Sequence, residues 1–229
     1  MTGNDGNSVL NGKNSGWVGR FMEQFYKENL KEDFPLAVQI GSLKNSLGFH
    51  GVEEHGMSIN LTGQDPAGYY SVLNGLGGAP PSNIPISDFG KELEYIIKTD
   101  ELSNFYASTI SGAFNQGKNV GNYPDTDIAD QLKTVAKLIS GGLESKFYMV
   151  RLSGFDTHGN QVDAKGEIVG KHHKLLTELS QAIGAFFKDI KEQSIDDDIV
   201  GLTYSEFGRK AKENGNLGTD HGEIAPMFV

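Results

Sequence analysis

The chain of 229 residues is long enough for one sizeable α/β domain, and its 37% hydrophobic and 22% charged residues are typical of a globular protein. Its formal net charge of −10 argues against a nucleic-acid-binding surface, which needs clustered Lys and Arg. The chain has no Cys, so disulfides, thiolate metal ligands and a Cys nucleophile are excluded. No apolar run approaches the length of about eighteen residues that predicts a transmembrane segment, and no signal peptide is visible.

The N-terminal half predicts short elements separated by loops. Residues 1–14 are rich in Asn and Gly and predict a flexible lead-in. From Ser15, a candidate cap, apolar residues recur at helical spacing, and the later stretches "FPLAVQIG" and "GMSINLTG" are typical of short strands. Residues 74–87 have neither period and predict a loop, and residues 88–122 predict a helical insertion with two helices.

The C-terminal half predicts a strand–helix–strand unit after a helix that Gly141 and Gly142 end. The strand Phe147–Leu152 leads to a long helix from about His172 to Ile190, and this helix leads to a second strand, Ile199–Tyr204. Such a unit predicts parallel strands with a right-handed crossover. We therefore expect an α/β fold with a mainly parallel central sheet and flanking helices, forming a single domain over 1–229.

Three motifs with carboxylate and imidazole groups follow these strands. "GFDTHG" comes after the first strand, "SEFGR" after the second, and "TDHG" a short distance later. The carboxyl ends of parallel strands share one edge of the sheet, so we expect the motifs to converge there. His nitrogens and carboxylate oxygens are ligands of zinc and similar divalent ions. The candidate metal ligands are Asp156, His158, Glu206, Asp220 and His221.

Each motif taken alone has a simpler explanation. An isolated Asp-x-His is often only a polar loop, Glu206 is also a reasonable helix-cap residue, and Arg209 a solvated charge. Their coincidence on one sheet edge favours the metal site. His172 lies on the apolar side of the long helix and is better explained as a satisfied, partly buried histidine.

The longer stretches around these motifs resemble a bacterial family. "DIADQLKTVAKLISGGLESKFYMVRLSGFDTHGNQ", "HHKLLTELSQAIGAFFKDI" and "VGLTYSEFGRKAKENGNLGTDHG" are similar to the domain of unknown function 1501, and "SGWVGRF" resembles its early helix. That family is placed in the alkaline phosphatase and sulfatase superfamily, and its members commonly carry twin-arginine export signals. The resemblance implies an alkaline phosphatase/sulfatase-like core and a periplasmic or otherwise exported protein.

The resemblance also implies a site chemistry. Superfamily enzymes bind one or two divalent metals at the carboxyl edge of a parallel sheet, and zinc, manganese, magnesium and calcium are the candidates here. By this likeness Asp156 and His158 match one ligand loop, and Asp220 and His221 resemble the Asp-His-Gly ligand pair. Arg209 would bind the anion of the substrate.

The chain departs from the superfamily pattern in two places. Glu206 and Phe207 stand where the Asp-His pair would directly follow its strand, and Asp-His comes later. The superfamily's first strand, which carries a metal-binding Asp and the nucleophile, is not visible before "SGWVGRF", and the resemblance would continue beyond "APMFV". We therefore expect the chain to be a partial copy of a longer protein.

Two functions compete on this reading. The first is an exported metal-dependent hydrolase of phosphate or sulfate esters, and the alternative is a non-catalytic member of the fold that binds a partner or a glycan. A metal-independent binding domain, in which every motif is a coincidence, is less favoured. Thr157 and Ser205 lie beside the ligands but are better explained as supporting or capping groups than as nucleophiles. Little or no phosphatase or sulfatase turnover is therefore expected from this chain.

Overall fold

The computed structural model of the protein describes residues 15–31, 34–41, 49, 51, 58–61, 83–165 and 170–229. The predicted lead-in over 1–14 and residues 74–82 of the predicted loop lie outside these residues. Within them the fold mixes helices with short strands, as expected of an α/β protein. No helix of the described part is both long and apolar enough to cross a membrane.

The described part of the chain contains helices and short strands, which are numbered here in chain order. The helices are α1 (Trp17–Phe25), a short 3-10 helix (Lys27–Lys31), α2 (Asp88–Gln116), α3 (Asp127–Ser140) and α4 (Lys171–Glu192). The strands are β1 (Ala37–Ile40), β2 (Ser58–Leu61), β3 (Phe147–Met149), β4 (Gly208–Arg209) and β5 (His221–Gly222).

The largest described sheet has three parallel strands in the order β2-β1-β3. Ala37 at the start of β1 lies opposite Ser58 on one side and Phe147 on the other. All four residues of β1 are buried, as expected of the central strand in a parallel sheet that is covered on both faces. The two strands expected in the N-terminal half are confirmed, and so is the parallel pairing of the sheet. The described sheet is small, however, and is not the large central sheet expected.

The prediction of a second strand in the strand–helix–strand unit, at Ile199–Tyr204, is wrong. Residues 199–204 form no strand, and the parallel neighbour of β3 is β1. The apolar side chains of this segment are not packed into a core, since Val200 is 80% exposed and Leu202 is 46% exposed. The amide of Thr203 donates instead to the carbonyl of Phe228, at 2.9 Å. The expected common sheet edge for the site motifs is therefore not formed in this way.

The helical insertion holds one helix where two were expected. α2 runs without a break from Asp88 to Gln116, and residues 91–111 contain neither Gly nor Pro to interrupt it. The hydroxyl of Ser87 caps the helix by accepting a hydrogen bond from the Gly90 amide at 3.1 Å. Tyr106 and Ile110, which lie one helical turn apart on this helix, are both buried.

The chain divides into two compact units. Unit 1 comprises Met1–Lys118 and Thr134–Arg151, and unit 2 comprises Asn119–Lys133 and Leu152–Val229. Unit 1 contains the parallel sheet and a core cluster of buried apolar residues, which are Val18, Met22, Leu36, Ala37 and Phe49. Unit 2 contains α4, the β4–β5 pair and all the predicted site residues. The single domain over 1–229 stays a prediction.

Candidate metal centre

Two loops of unit 2 carry most of the predicted site residues. We call residues 154–162 the first site loop and residues 213–222 the second site loop. The amides of Asn160 and Gln161 donate to the carbonyls of Asn216 and Leu217, at 3.2 and 2.8 Å. The amide of Thr219 donates back to the carbonyl of Thr157 at 3.3 Å. Direct backbone pairing between the loops thus brings the motifs together, in place of the shared sheet edge expected.

Two glycines make this close pairing sterically feasible. Gly154 begins the first site loop at φ +104°, in the left-handed region where a side chain would be strained. A Cβ atom at Gly218 would lie 2.5 Å from the backbone of His158. The two loops therefore approach as closely as they do because position 218 has no side chain.

A glutamine links the hydroxyl groups of the two loops. The side-chain carbonyl of Gln161 accepts hydrogen bonds from the Thr157 hydroxyl at 3.0 Å and from the Thr219 hydroxyl at 2.8 Å. Thr157 is only 2% exposed. Its hydroxyl therefore joins the two loops and is not presented to solvent.

Three of the predicted ligands lie close together at the loop surface. Oδ1 of Asp156 lies 2.8 Å from Nε2 of His221 and 3.0 Å from Nδ1 of His158. The three potential ligand atoms all lie within 4.8 Å of one another. The side chains of Asp156, His158 and His221 are 59%, 50% and 48% exposed. We call these three residues the Asp-His-His cluster, and their nitrogen and oxygen atoms suit a divalent ion such as zinc.

Positive and hydrogen-bonding groups around Asp156 keep it ionised. The hydrogen bond from His221 makes the largest contribution in lowering the pKa of Asp156 below its ordinary value. Desolvation is the second-largest effect and raises this pKa, whereas the charges of His158, His221 and Arg209 each make a smaller contribution that lowers it. Nη2 of Arg209 lies 3.1 Å from Oδ1 of Asp156. The carboxylate is therefore in the form that binds a cation.

An aromatic ring fixes the plane of one imidazole. The ring of Phe207 stacks on His221 with centroids 4.0 Å apart and an interplanar angle of 13°. On the other side, His158 lies 4.8 Å from His221, centroid to centroid. Arg209 lies over the Phe207 ring at 5.0 Å. The His221 ring is thus held between neighbours, and fewer ring orientations are open to it.

The other two predicted ligands are not part of the Asp-His-His cluster. The carboxylate of Asp220 accepts from the side-chain amide of Asn214 at 3.1 Å and from the Lys210 ammonium at 3.4 Å. These two bonds, with Asn214 making the larger contribution, lower the pKa of Asp220. Glu206 is exposed and is likewise not brought to the cluster. The assignment of both carboxylates as metal ligands stays a prediction.

The partly buried position of His172 agrees with expectation. Its ring packs edge-on against Phe155 with centroids 5.8 Å apart. Burial, and secondarily the charge of Arg209, lowers the pKa of His172. Its Nδ1 is buried without a hydrogen-bond partner among the described residues. The expected hydrogen-bond satisfaction is therefore incomplete at this nitrogen.

Sequence reasoning missed three residues that build this site. Phe207 stacks on His221, Gln161 joins the loop hydroxyls, and Asn214 donates to the carbonyl of His158 at 2.8 Å and also to Asp220. Phe207 and Asn214 lie beside or between the recognised motifs, but residue type alone does not indicate which surface polar or aromatic groups support a ligand.

The chain matches one protein family over part of its length. Residues 128–229 match the family model described as "Protein of unknown function (DUF1501)". No curated protein and no solved structure was found to match the chain. The matched segment contains all three members of the Asp-His-His cluster and Arg209. The match supports the DUF1501 family for this segment, in agreement with the resemblance of its motifs.

Proposed function

We propose that this protein is an exported metal-dependent hydrolase of phosphate or sulfate esters, with its ion held by Asp156, His158 and His221. The observation that carries the proposal is the approach of their three potential ligand atoms to within 4.8 Å of one another. Export and the ester substrate class come from the resemblance of the motifs to the alkaline phosphatase and sulfatase superfamily. The metal site itself rests on the donor geometry.

The donor set fits a divalent ion that takes part in catalysis. Catalytic zinc sites commonly use three protein ligands from His and carboxylate side chains and leave a position open. The members of the Asp-His-His cluster are about half exposed, so their outer side is open to a small anionic ester. A bound divalent ion would polarise the ester oxygen and offset the charge that develops on it. Glu206 and Asp220 are candidates for completing the ligand set.

The chain's own groups orient this site. Stacking on Phe207 restricts His221, and the paired site loops hold Asp156 and His158 on one side of the cluster. The two neighbouring hydroxyls are engaged elsewhere, because that of Thr157 bonds to Gln161 and that of Ser205 donates to the Phe207 carbonyl at 2.6 Å. Neither is placed as a nucleophile, so we expect turnover by this chain to be low.

This engagement of both hydroxyls also favours a second candidate function. A non-catalytic member of the fold would keep an ion without an attacking side-chain group and would use it to bind a phosphate, a sulfate or an anionic glycan. Such a protein has the same cluster and the same metal dependence of ligand binding. The two functions differ only in whether the bound ester is cleaved.

The test begins with metal binding. The metal-stripped chain is titrated with zinc, manganese, magnesium and calcium by isothermal calorimetry, beside His221→Ala and the control His173→Ala. His173 is an exposed histidine of α4 that is not part of the cluster. We expect a divalent ion to bind wild type and His173→Ala and to bind His221→Ala much more weakly. Equal binding by all three proteins, or by none, would overturn the metal centre.

The second stage separates the two functions. The metal-loaded chain is assayed with aryl phosphate and aryl sulfate esters, and its binding of phosphate and sulfate is measured in parallel. Metal-dependent turnover that His221→Ala removes supports the hydrolase, even at a low rate. Metal-dependent anion binding without turnover supports the binding protein. Metal binding without either effect contradicts both ester-directed functions.

A further inference from the structure

We infer that Arg209 is a positioning residue of the metal centre, whose guanidinium holds the two site loops in the arrangement that binds the ion. The inference rests on the proposed metal centre. It assigns Arg209 a role different from the anion binding expected from the sequence, because its hydrogen bonds go to the protein itself.

The guanidinium bridges the two site loops through their backbone. Nη1 donates to the carbonyl of Thr219 in the second loop, and Nη2 donates to the carbonyl of Phe155 in the first. Nη2 also lies 3.1 Å from Oδ1 of Asp156. Phe155 directly precedes Asp156, and Thr219 lies shortly before His221. One side chain therefore fixes the backbone beside two of the three cluster residues.

The backbone of Arg209 is held as firmly as its side chain. Arg209 pairs with His221 in the antiparallel β4–β5 ladder, and its amide donates to the carbonyl of Ile224 at 2.8 Å. Its side chain is 18% exposed, whereas that of Asp156 is 59% exposed. The backbone of Arg209 is therefore fixed and its side chain is largely buried. Both features restrict the guanidinium to one position between the two site loops.

These bonds leave little of the guanidinium for a substrate. A two-point clamp on an anion uses two parallel N–H groups of one guanidinium edge. Both such edges include Nη2, which already donates to Phe155 and Asp156. A clamp on a phosphate or sulfate would have to break one of these bonds. The geometry therefore favours positioning over anion binding.

The sign of the effect on metal affinity separates positioning from simple electrostatics. A guanidinium so close to Asp156 repels a bound cation, so loss of its charge alone would strengthen metal binding. If Arg209 holds the ligands in place, its removal weakens metal binding even though the repulsion between the guanidinium and the cation is also removed. Removal of a group that orients metal ligands typically costs about 10–100-fold in metal affinity.

The experiment compares zinc and manganese affinities of the metal-stripped wild type, Arg209→Gln, Arg209→Lys and Lys212→Gln by isothermal calorimetry. Lys212 is an exposed cation of the same neighbourhood in the sequence, so Lys212→Gln controls for loss of one positive charge. We expect Arg209→Gln to bind about 10–100-fold more weakly. Arg209→Lys keeps the charge but not the planar fork, so we expect it to bind more weakly as well. Lys212→Gln should remain within about twofold of wild type, since screened surface charges act weakly.

Each outcome bears on a separate claim. A wild type that binds neither ion contradicts the metal centre, and the role of Arg209 in it falls as well. A wild type that binds while Arg209→Gln binds equally or more tightly overturns the positioning role alone. The zinc-loaded proteins are also titrated with phosphate, and a loss of phosphate affinity in Arg209→Gln with unchanged zinc affinity would restore Arg209 as an anion-binding residue. If far-UV circular dichroism finds Arg209→Gln unfolded, Arg209→Lys decides the question, and unfolding of both would assign Arg209 to the fold only.

Discussion

Two of the ionised aspartates of unit 2 lie in opposite settings, Asp189 on α4 and Asp156 in the first site loop. Asp189 has no exposed surface, and the hydrogen bonds that its carboxylate accepts from the described residues all come from neutral groups. These groups are the amides of Val120 and Gly121, the side-chain amides of Asn119 and Gln193, and the Tyr123 hydroxyl. Burial alone would raise the pKa of Asp189, but bonds from these groups, led by the Val120 amide, lower it.

Asp156 is surrounded by a different kind of group. Its side chain is 59% exposed, and a single oxygen, Oδ1, is approached by nitrogens of His158, His221 and Arg209. Two of these nitrogens belong to imidazoles, which are metal ligands themselves. An ion entering this cluster would gain ligands from the groups that now contact the carboxylate, whereas an ion at Asp189 would have to displace five neutral donors.

The role of each carboxylate is therefore indicated by the groups that contact it more than by its charge. Neutral donors that fully surround Asp189 fasten residues 119–123 to α4, which is a structural task. Exposed imidazoles around Asp156 suit reversible binding of a cation. Changes at the two sites should therefore affect different measurements.

The largest effect on stability is expected from Asp189→Asn. The substituted amide keeps one acceptor oxygen but turns an N–H group toward donors, so several buried donors lose their partner. We expect a loss of roughly 2–5 kcal/mol in the free energy of unfolding, measured by urea denaturation. Asp197→Asn, at an exposed aspartate just after α4, is the control and should change stability by less than about 0.5 kcal/mol. A small loss at Asp189 would contradict its structural role.

The next effect is expected on metal binding. His158→Ala removes Nδ1, which lies 3.0 Å from Oδ1 of Asp156, and with it one proposed ligand. We expect zinc affinity to fall by more than the roughly 10–100-fold that loss of a supporting group costs. The free energy of unfolding without metal should change little, because the His158 side chain is half exposed. Unchanged zinc affinity would contradict the role of His158 as a ligand. A large loss of stability without metal would mean that His158, like Asp189, has a structural role.

Acid should destabilise the protein mainly through Asp189. A carboxyl group with a lowered pKa contributes stability above its ordinary pKa of about 4, and this contribution is lost as the pH falls through the folded-state pKa. Asp189→Asn should therefore flatten the fall in unfolding free energy below about pH 4–5. Asp156→Asn should flatten it less, because solvent screens an exposed carboxylate. Urea denaturation of both variants across this range checks the order.

The smallest effect is expected from the aromatic stack. Phe207→Ala removes the ring that lies 4.0 Å from His221, while Phe207→Tyr keeps it. Aromatic contacts of this kind contribute about 0.5–1.5 kcal/mol, so zinc affinity should fall roughly 2–10-fold in Phe207→Ala and stay near wild type in Phe207→Tyr. Equal affinities of the two variants would mean that Phe207 does not orient His221.

The sequence predicted the positions of the helices and strands better than it predicted which strands pair with each other. The sequence shows the apolar runs of β1 and β3 and the helical periodicity of α4, because each of these patterns depends on residues close together in the chain. The run Ile199–Tyr204 has the same apolar character, yet it is largely exposed and forms no strand. Which runs pair is decided by tertiary contacts between distant segments, and local composition does not encode that choice.

The candidate site was predicted in part, and through a different geometry. Asp156, His158 and His221 do approach one another, but backbone bonds between the two site loops bring them together. Asp220, directly beside His221, turns to Lys210 and Asn214. Adjacent residues in an extended segment point to opposite sides, so a motif read as a pair of ligands need not direct both side chains to one ion.

The most direct test of the metal centre is imidazole ¹⁵N NMR of the metal-stripped protein during addition of zinc. The account predicts that Nδ1 of His158 and Nε2 of His221 change shift together and saturate with the same ion, because these are the atoms within reach of Asp156. The ring nitrogens of exposed His173 should stay unchanged. Zinc that binds without moving the His158 and His221 signals, or that moves them no more than those of His173, would contradict the account.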